Sequence, residues 1–400
     1  DPRGASDKSG RTFNNPYQYF FEQMHMDDAI YADESIYEYP MQQGGGNDGR
    51  PYSFGRPSSG GSKAAYPCKS YGQGRINPAY FYGIFDPNDM RRDVSITMTG
   101  SNGKGVEKLI PFVPNSKAEG GGLTLNKWDE NRQANPWVAA QRKSGINGPY
   151  MRMSEVYLGY AEVCAALGDV VTGKQYLKTV RERSFPQGLA DTDGFIASFG
   201  NDLVRAIIEE RGFEYAGEGD RRWTLIRSGY LPEDIKRIKD MTKAMMDGLA
   251  TKGYYEFENG NIISAYIWTK LVDAKTIYGH RLTAQCPMDK VNDPVLYPGW
   301  RGQKDNWEEM GLNYGNSAPA TNLAIKGLFE IVSEEEAASL ESQGYAKVNW
   351  GIDLVDYRDE YDKYLFWDYD YVSAPIYLWP FTPNVMAAGG FTNGYGFKQE

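Results

Sequence analysis

The chain has 400 residues, 41% hydrophobic and 24% charged, enough apolar material for one large folded unit or two ordinary ones. Its formal net charge of −10 and pI near 5.0 exclude the basic surface that nucleic acid requires. No apolar run approaches the roughly twenty residues of a membrane-spanning helix, and with only His25 and His280 there is little material for Ser-His-Asp or Cys-His catalysis.

Residues 44–62 are rich in Gly, Pro and Ser and read as a loop. No strand and helix bracket Gly44–Gly49, so the glycines do not make a phosphate cradle. Val94, Ile96 and Met98 alternate, turn at Gly100-Ser-Asn-Gly103 and return through Val106 to Phe112, which predicts a hairpin. Met153, Val156, Tyr157, Tyr160, Ala161, Cys164 and Leu167 recur at three- and four-residue steps and predict a helix with that stripe inward. Gly168-Asp169 ends it, and Thr172 is read as the cap of a second helix carrying Tyr176, Leu177 and Val180. With Gly173 five places after Gly168, the pair has the spacing of the back half of a tetratricopeptide repeat, in a single copy.

Asn201 or Asp202 caps the next helix, whose apolar face is Leu203, Ala206, Ile207 and Phe213. Phe257 to Ile263 crosses Asn259-Gly260, a hairpin turn, with Tyr266, Ile267 and Trp268 beyond. Ser333-Glu-Glu-Glu336 is a capping box that opens a helix toward Leu340. The fold class is therefore mainly α with long loops and small β-hairpins, and no stretch reads as a domain linker.

The densest charges lie at Glu209, Glu210, Arg211, Glu214, Glu218, Arg221 and Arg222. Glu210 and Glu214 are one helical turn apart, so both project from one face and offer a carboxylate pair for acid/base work, as in a glycoside hydrolase. Arginines are as dense as the carboxylates, which favours a structural ion network between helices. Cys164 lies on the apolar stripe and reads as a buried thiol; Cys68 and Cys286 sit in Pro-adjacent loop sequence, where a disulfide is open. Asp191-Thr-Asp193-Gly194 and Asp368-Tyr-Asp370 resemble pieces of calcium loops but lack the remaining ligands, so surface turns explain them better and no cofactor is assigned.

Aromatic residues reach 14%, and many fall in Gly/Pro/Asn-rich sequence. Tyr52, Phe54, Tyr66, Tyr71, Tyr80, Phe81 and Tyr82 form one group; Trp128, Trp137, Trp300, Trp307 and Tyr314 form another. A ring on a rigid loop offers an apolar face with a polar edge, which matches a sugar ring and equally serves a peptide. The alternative is that most of these rings pin loops to the scaffold. The candidate ligand-binding set is Tyr52, Phe54, Tyr66, Tyr71, Tyr80 and Tyr82, with Arg75 and Asn77 as hydrogen-bonding neighbours and Arg56 nearby.

Several runs carry a family resemblance. Arg152-Met-Ser-Glu155-Val-Tyr157-Leu158 with Ala161-Glu162 and Gly168-Asp169, Val180-Arg181-Glu-Arg183, and Glu210-Arg211-Gly-Phe-Glu214 with Gly217-Glu218-Gly-Asp-Arg221 and Arg227 resemble the SusD/RagB family of bacterial surface nutrient-binding lipoproteins. Glu34-Ser-Ile-Tyr-Glu38, Asp89-Met-Arg91-Arg92, Leu378-Trp-Pro380-Phe-Thr-Pro383 and Asn393-Gly-Tyr395 are similar to flanking segments, in the family's order. The chain departs from the pattern at Phe381, Thr382 and Gly394, and in the length of the stretch from Tyr230 to Ser373.

The resemblance implies a SusD-like fold on a tetratricopeptide-type scaffold, with residues 1–400 as a single domain that lacks an N-terminal helical portion and a lipid anchor. It implies a non-catalytic protein on the outer membrane, facing the exterior and lipid-anchored. Such a protein captures oligosaccharide and delivers it to a SusC-like TonB-dependent transporter; peptide capture by the same fold is the alternative. It places part of the ligand platform between the Glu34 and Asp89 segments and makes Arg152, Glu155, Glu210, Arg211, Glu214 and Arg221 scaffold.

Overall fold

The computed structural model describes residues 5–6, 12–13, 15–25, 34–41, 55, 74–101, 107–112, 122–128, 146–273, 321–359, 381–390 and 392. In chain order these contain β1 (Ala5–Ser6), β2 (Thr12–Phe13), α1 (Pro16–His25), β3 (Ser35–Tyr39), α2 (Pro78–Gly83), α3 (Arg91–Ser95), β4 (Ile96–Thr97), β5 (Thr99–Ser101), β6 (Glu107–Leu109), β7 (Thr124–Leu125) and β8 (Gly148–Arg152). A helical run follows: α4 (Met153–Ala166), α5 (Val170–Arg183), α6 (Thr192–Ala197), α7 (Leu203–Glu214), α8 (Arg221–Ser228) and α9 (Leu231–Lys252). Beyond it come β9 (Tyr254–Glu256), β10 (Ile262–Ser264), β11 (Tyr266–Asp273), β12 (Thr321–Lys326), α10 (Glu334–Ser342), β13 (Ala346–Asn349), α11 (Gly351–Asp356) and α12 (Pro383–Gly389). Every described strand pairing is antiparallel, in two-stranded sheets apart from the β12-β11-β13 triplet.

The αα-hairpin forms where the spacing predicts it, with two local differences. Asp169, not Thr172, caps α5: its side chain accepts from the Thr172 amide at 3.1 Å, which satisfies a donor the first turn leaves free. The inward face of α4 is Ser154, Leu158, Ala161 and Cys164. Val156, Tyr160 and Leu167 face outward, Leu167 at 82% exposure. The helix is apolar on two sides, so the predicted stripe holds at Ala161 and Cys164, with Tyr157 packed against the core, and fails at Val156, Tyr160 and Leu167. Gly173 lets α5 close on α4: a Cβ there would lie 3.0 Å from the Ala161 carbonyl oxygen.

Asp202 is the cap of α7, accepting from the Arg205 amide at 3.0 Å, while Asn201 takes the left-handed conformation before it. Nearly every residue of α7 is buried, because it serves two cores. Ala206 and Ile207 pack with Leu158, Leu177 and Val180 of the hairpin. Phe213 joins a larger core made by Phe81, Tyr82, Phe85, Met245, Leu249, Phe257, Ile263, Ile267, Trp350 and Leu354.

The predicted hairpins are present. β5 pairs with β6, while Val94 is drawn into α3 and Ile96 pairs with Leu125 of β7. β9 and β10 meet across Asn259-Gly260, where Gly260 has φ +83° and the Asn259 side chain donates to the carbonyls of Tyr82 and Phe85, each at 2.8 Å. The capping box of Ser333 and Glu336 opens α10. Asp191 is the N-cap of α6, accepting from the Gly194 amide at 2.8 Å, which gives that calcium-like run a structural job. Cys164 is buried as a free thiol; Cys68, Cys286, His280 and Asp368–Asp370 lie outside the described residues.

Candidate functional site

The signature carboxylates meet in the interior. Glu210 and Glu214, both fully buried, project from one face of α7 into a set of guanidinium groups. Arg91 Nη1 donates to Glu210 Oε1 at 2.7 Å and to Glu214 Oε2 at 3.2 Å, while its other edge holds Asp89. Arg181 Nη1 reaches Glu210 Oε2 at 2.6 Å. Arg152 Nη1 donates to Glu214 Oε1 at 2.7 Å and to Glu34 Oε1 at 2.9 Å, and its Nη2 to Glu218 at 2.9 Å. Arg183 pairs with Glu34 and Glu214, and Lys127 with Glu218. Among the described residues the linked set holds five cations (Arg91, Lys127, Arg152, Arg181, Arg183) and five carboxylates (Glu34, Asp89, Glu210, Glu214, Glu218), which balance. Aromatic rings wall it: Arg152 lies 4.9 Å from the Tyr215 centroid and Arg181 3.7 Å from that of Phe195.

This geometry decides the chemistry of the pair. Burial pushes the Glu214 carboxyl up, but Arg183, Arg152 and Arg91 outweigh it and hold the group well below the usual carboxylate range. A general acid must hold a proton near neutral pH and reach a substrate; Glu214 does neither, and both oxygens of Glu210 are taken by arginines. The ion-network reading is the one the structure supports. A second cluster beside it gathers Arg205, Arg221 and Arg237 around Glu209, with Asp234.

Of the ligand-binding candidates, Tyr52, Phe54, Tyr66 and Tyr71 lie outside the described residues, as does Arg56. Arg75 is exposed, in an isolated bridge with Thr124. The other three are held by the fold. Asn77 caps α2, its Oδ1 accepting from the Ala79 amide at 2.8 Å and its Nδ2 donating to Thr242 at 2.9 Å. The Tyr80 hydroxyl donates to the Gly212 carbonyl at 2.9 Å. Tyr82 has no exposed surface; its ring stacks on Phe257 and its hydroxyl accepts from Trp350 Nε1 at 2.9 Å. Burial drives both phenols far above their ordinary range, partly countered by Arg221 at Tyr80 and by the Trp350 hydrogen bond at Tyr82. Trp128 is fully buried too.

Exposed rings occur elsewhere. Tyr37 and Tyr39 of β3 and Tyr150 of β8 are 57%, 58% and 70% exposed. They lie outside the Gly/Pro/Asn-rich sequence that marks the candidate rings, and the signal in the sequence is the spacing of two tyrosines at i and i+2 in a strand.

Residues 3–380 match the SusD family. The SusD-like protein P25 of Formosa agariphila is 28% identical over 160 residues, which are 40% of this chain and 26% of that protein. A SusD homolog from Bacteroides thetaiotaomicron VPI-5482 is 18% identical with a TM-score of 0.38, covering 58% of this chain and 49% of the other. Surface glycan-binding protein A from Bacteroides thetaiotaomicron, in complex with laminarihexaose, is 18% identical with a TM-score of 0.39, covering 57% and 48%. The chain thus spans about half the length of these solved structures and about a quarter of P25. With 3–380 matched out of 400 residues, the chain belongs to the SusD family.

Proposed function

We propose that the chain belongs to a non-catalytic surface protein that binds oligosaccharide and passes it to a SusC-like TonB-dependent transporter in the outer membrane. The observation that carries the non-catalytic reading is the sealing of Glu210 and Glu214 among arginines, together with family membership. No described helix is long and apolar enough to cross a membrane, and we assign attachment to a lipid anchor on the exterior face. We take residues 1–400 as one SusD-like unit, a reading supported by an ion network that joins segments from Glu34 to Glu218.

We place the ligand platform on Tyr52, Phe54, Tyr66, Tyr71 and Arg75, and assign Asn77, Tyr80 and Tyr82 to the support beneath it. Rings on loops stack on the C–H face of a sugar, and the arginine supplies donors to hydroxyls. Calorimetry against neutral oligosaccharide pools and peptide pools tests this. Oligosaccharide binding is expected, weakened about tenfold or more when Tyr52, Tyr66 and Tyr71 are changed together to alanine. Unchanged affinity would move the platform; binding confined to peptides would change the ligand class. Incubation with the same glycans should release no product, and cleavage abolished by Glu210→Gln would make the protein an enzyme.

A further inference from the structure

Resting on that oligosaccharide-binding reading, we infer that the outer face of the β3/β8 sheet is a second saccharide-stacking platform, built by Tyr37, Tyr39 and Tyr150. Three phenol rings stand clear of the interior on one small sheet, at 57%, 58% and 70% exposure. Among the described residues none of their hydroxyls has a hydrogen-bond partner. A ring that serves packing buries its face and pairs its hydroxyl, as Tyr82 does; these stay more than half exposed with their hydroxyls unpaired among the described residues.

The arrangement suits a sugar. The Tyr37 and Tyr150 rings are 5.5 Å apart at 83°, edge to face, so contact between them uses at most one ring face. Tyr39 lies opposite Gly148, which has no side chain to cover it, and two residues from Tyr37 on the same strand. Irregular pairing between Ser35 and Glu38 turns both Ile36 and Tyr37 outward, and Ile36 and Met151 extend the apolar surface at 46% and 39% exposure.

The support is fixed from behind. Glu38 accepts from Ser35 and, at 2.8 Å, from Asn147 Nδ2, while Asn147 Oδ1 accepts from the Met41 amide at 2.9 Å. Arg152, the last residue of β8, is anchored in the ion network. Rings held on a braced sheet lose little freedom on binding. Glu38 is engaged in these contacts and leaves the rings as the recognition surface, which favours a neutral sugar over an ionic one.

The test uses the full chain on an array of neutral oligosaccharides (laminarihexaose, maltohexaose, cellohexaose, xylohexaose and mannohexaose), then calorimetry with the strongest binder. The Tyr37→Ala/Tyr39→Ala/Tyr150→Ala variant should lose about tenfold or more in affinity at an unchanged Tm, and the matching Tyr→Phe variant, which keeps the rings, should lose less. Wild-type affinity in the alanine variant would overturn the platform and leave the oligosaccharide-binding function standing. Failure of the unaltered chain to bind any of these sugars would remove both. A dimer-to-monomer change in sedimentation with sugar binding intact would assign the face to a second copy and sink the proposal.

Discussion

A buried charge is worth what its partners make of it, and Glu214 has three arginines. Removing one partner of a buried pair leaves the others uncompensated, typically at about 3–5 kcal/mol. Glu214→Gln should therefore lower the unfolding free energy by that order, read as a lower urea midpoint at unchanged m, more than any exposed Glu→Gln such as Glu335→Gln. Lys127 gives a pH signature. Burial, reinforced by Arg152 and partly countered by Glu218, lowers its ammonium from 10.5 to about 8. Between these values the unfolded chain holds the proton that the folded protein has released. Stability should rise with pH across about 8 to 10.5 and be lost on the way down, and Lys127→Met should flatten that part of the difference curve in urea titrations. At this scale the sequence was half legible. The density of Glu and Arg announced an ion network, but nothing in local sequence marks Asn77, Tyr80 and Tyr82 as interior, because their partners Thr242, Gly212 and Trp350 lie over a hundred positions away.

At the scale of elements, caps and close approaches are the readable features. A Cβ at Gly173 would meet the Ala161 carbonyl oxygen at 3.0 Å and the Ala165 nitrogen at 3.2 Å, backbone atoms of the facing helix that cannot rotate aside. Gly173→Ala should force α4 and α5 apart and cost about 1–3 kcal/mol, read as a fall in Tm. Ser333→Ala removes the hydroxyl that accepts from the Glu336 amide and leaves the reciprocal bond from the residue-333 amide to the Glu336 carboxylate, at about 1 kcal/mol, yet α10 buries none of its residues. Its loss should appear as faster amide exchange within α10 with little change in global Tm. Element type followed from period and turn chemistry alone. The inward side of α4 followed only in part, at Ala161 and Cys164, because Val156, Tyr160, Val163 and Leu167 form a second apolar stripe that only tertiary packing can rank.

For the whole molecule, that second stripe continues into Val170 and Val171, leaving an exposed apolar face on the αα-hairpin. Leu167→Glu with Val171→Glu, at 82% and 80% exposure, should stay within about 0.5 kcal/mol of the parent by urea denaturation. The ion network has a kinetic consequence as well. Its ten charges among the described residues arrive from Glu34, Asp89 and Arg91, Lys127, Arg152, Arg181 and Arg183, and the Glu210–Glu218 segment, so their balance exists only when distant parts of the chain have met. A half-assembled interior would hold desolvated charge without its complement, and such intermediates are driven back toward water. Refolding should wait on loop closure over long separations, and once the last guanidinium docks, the interior should resist opening piece by piece.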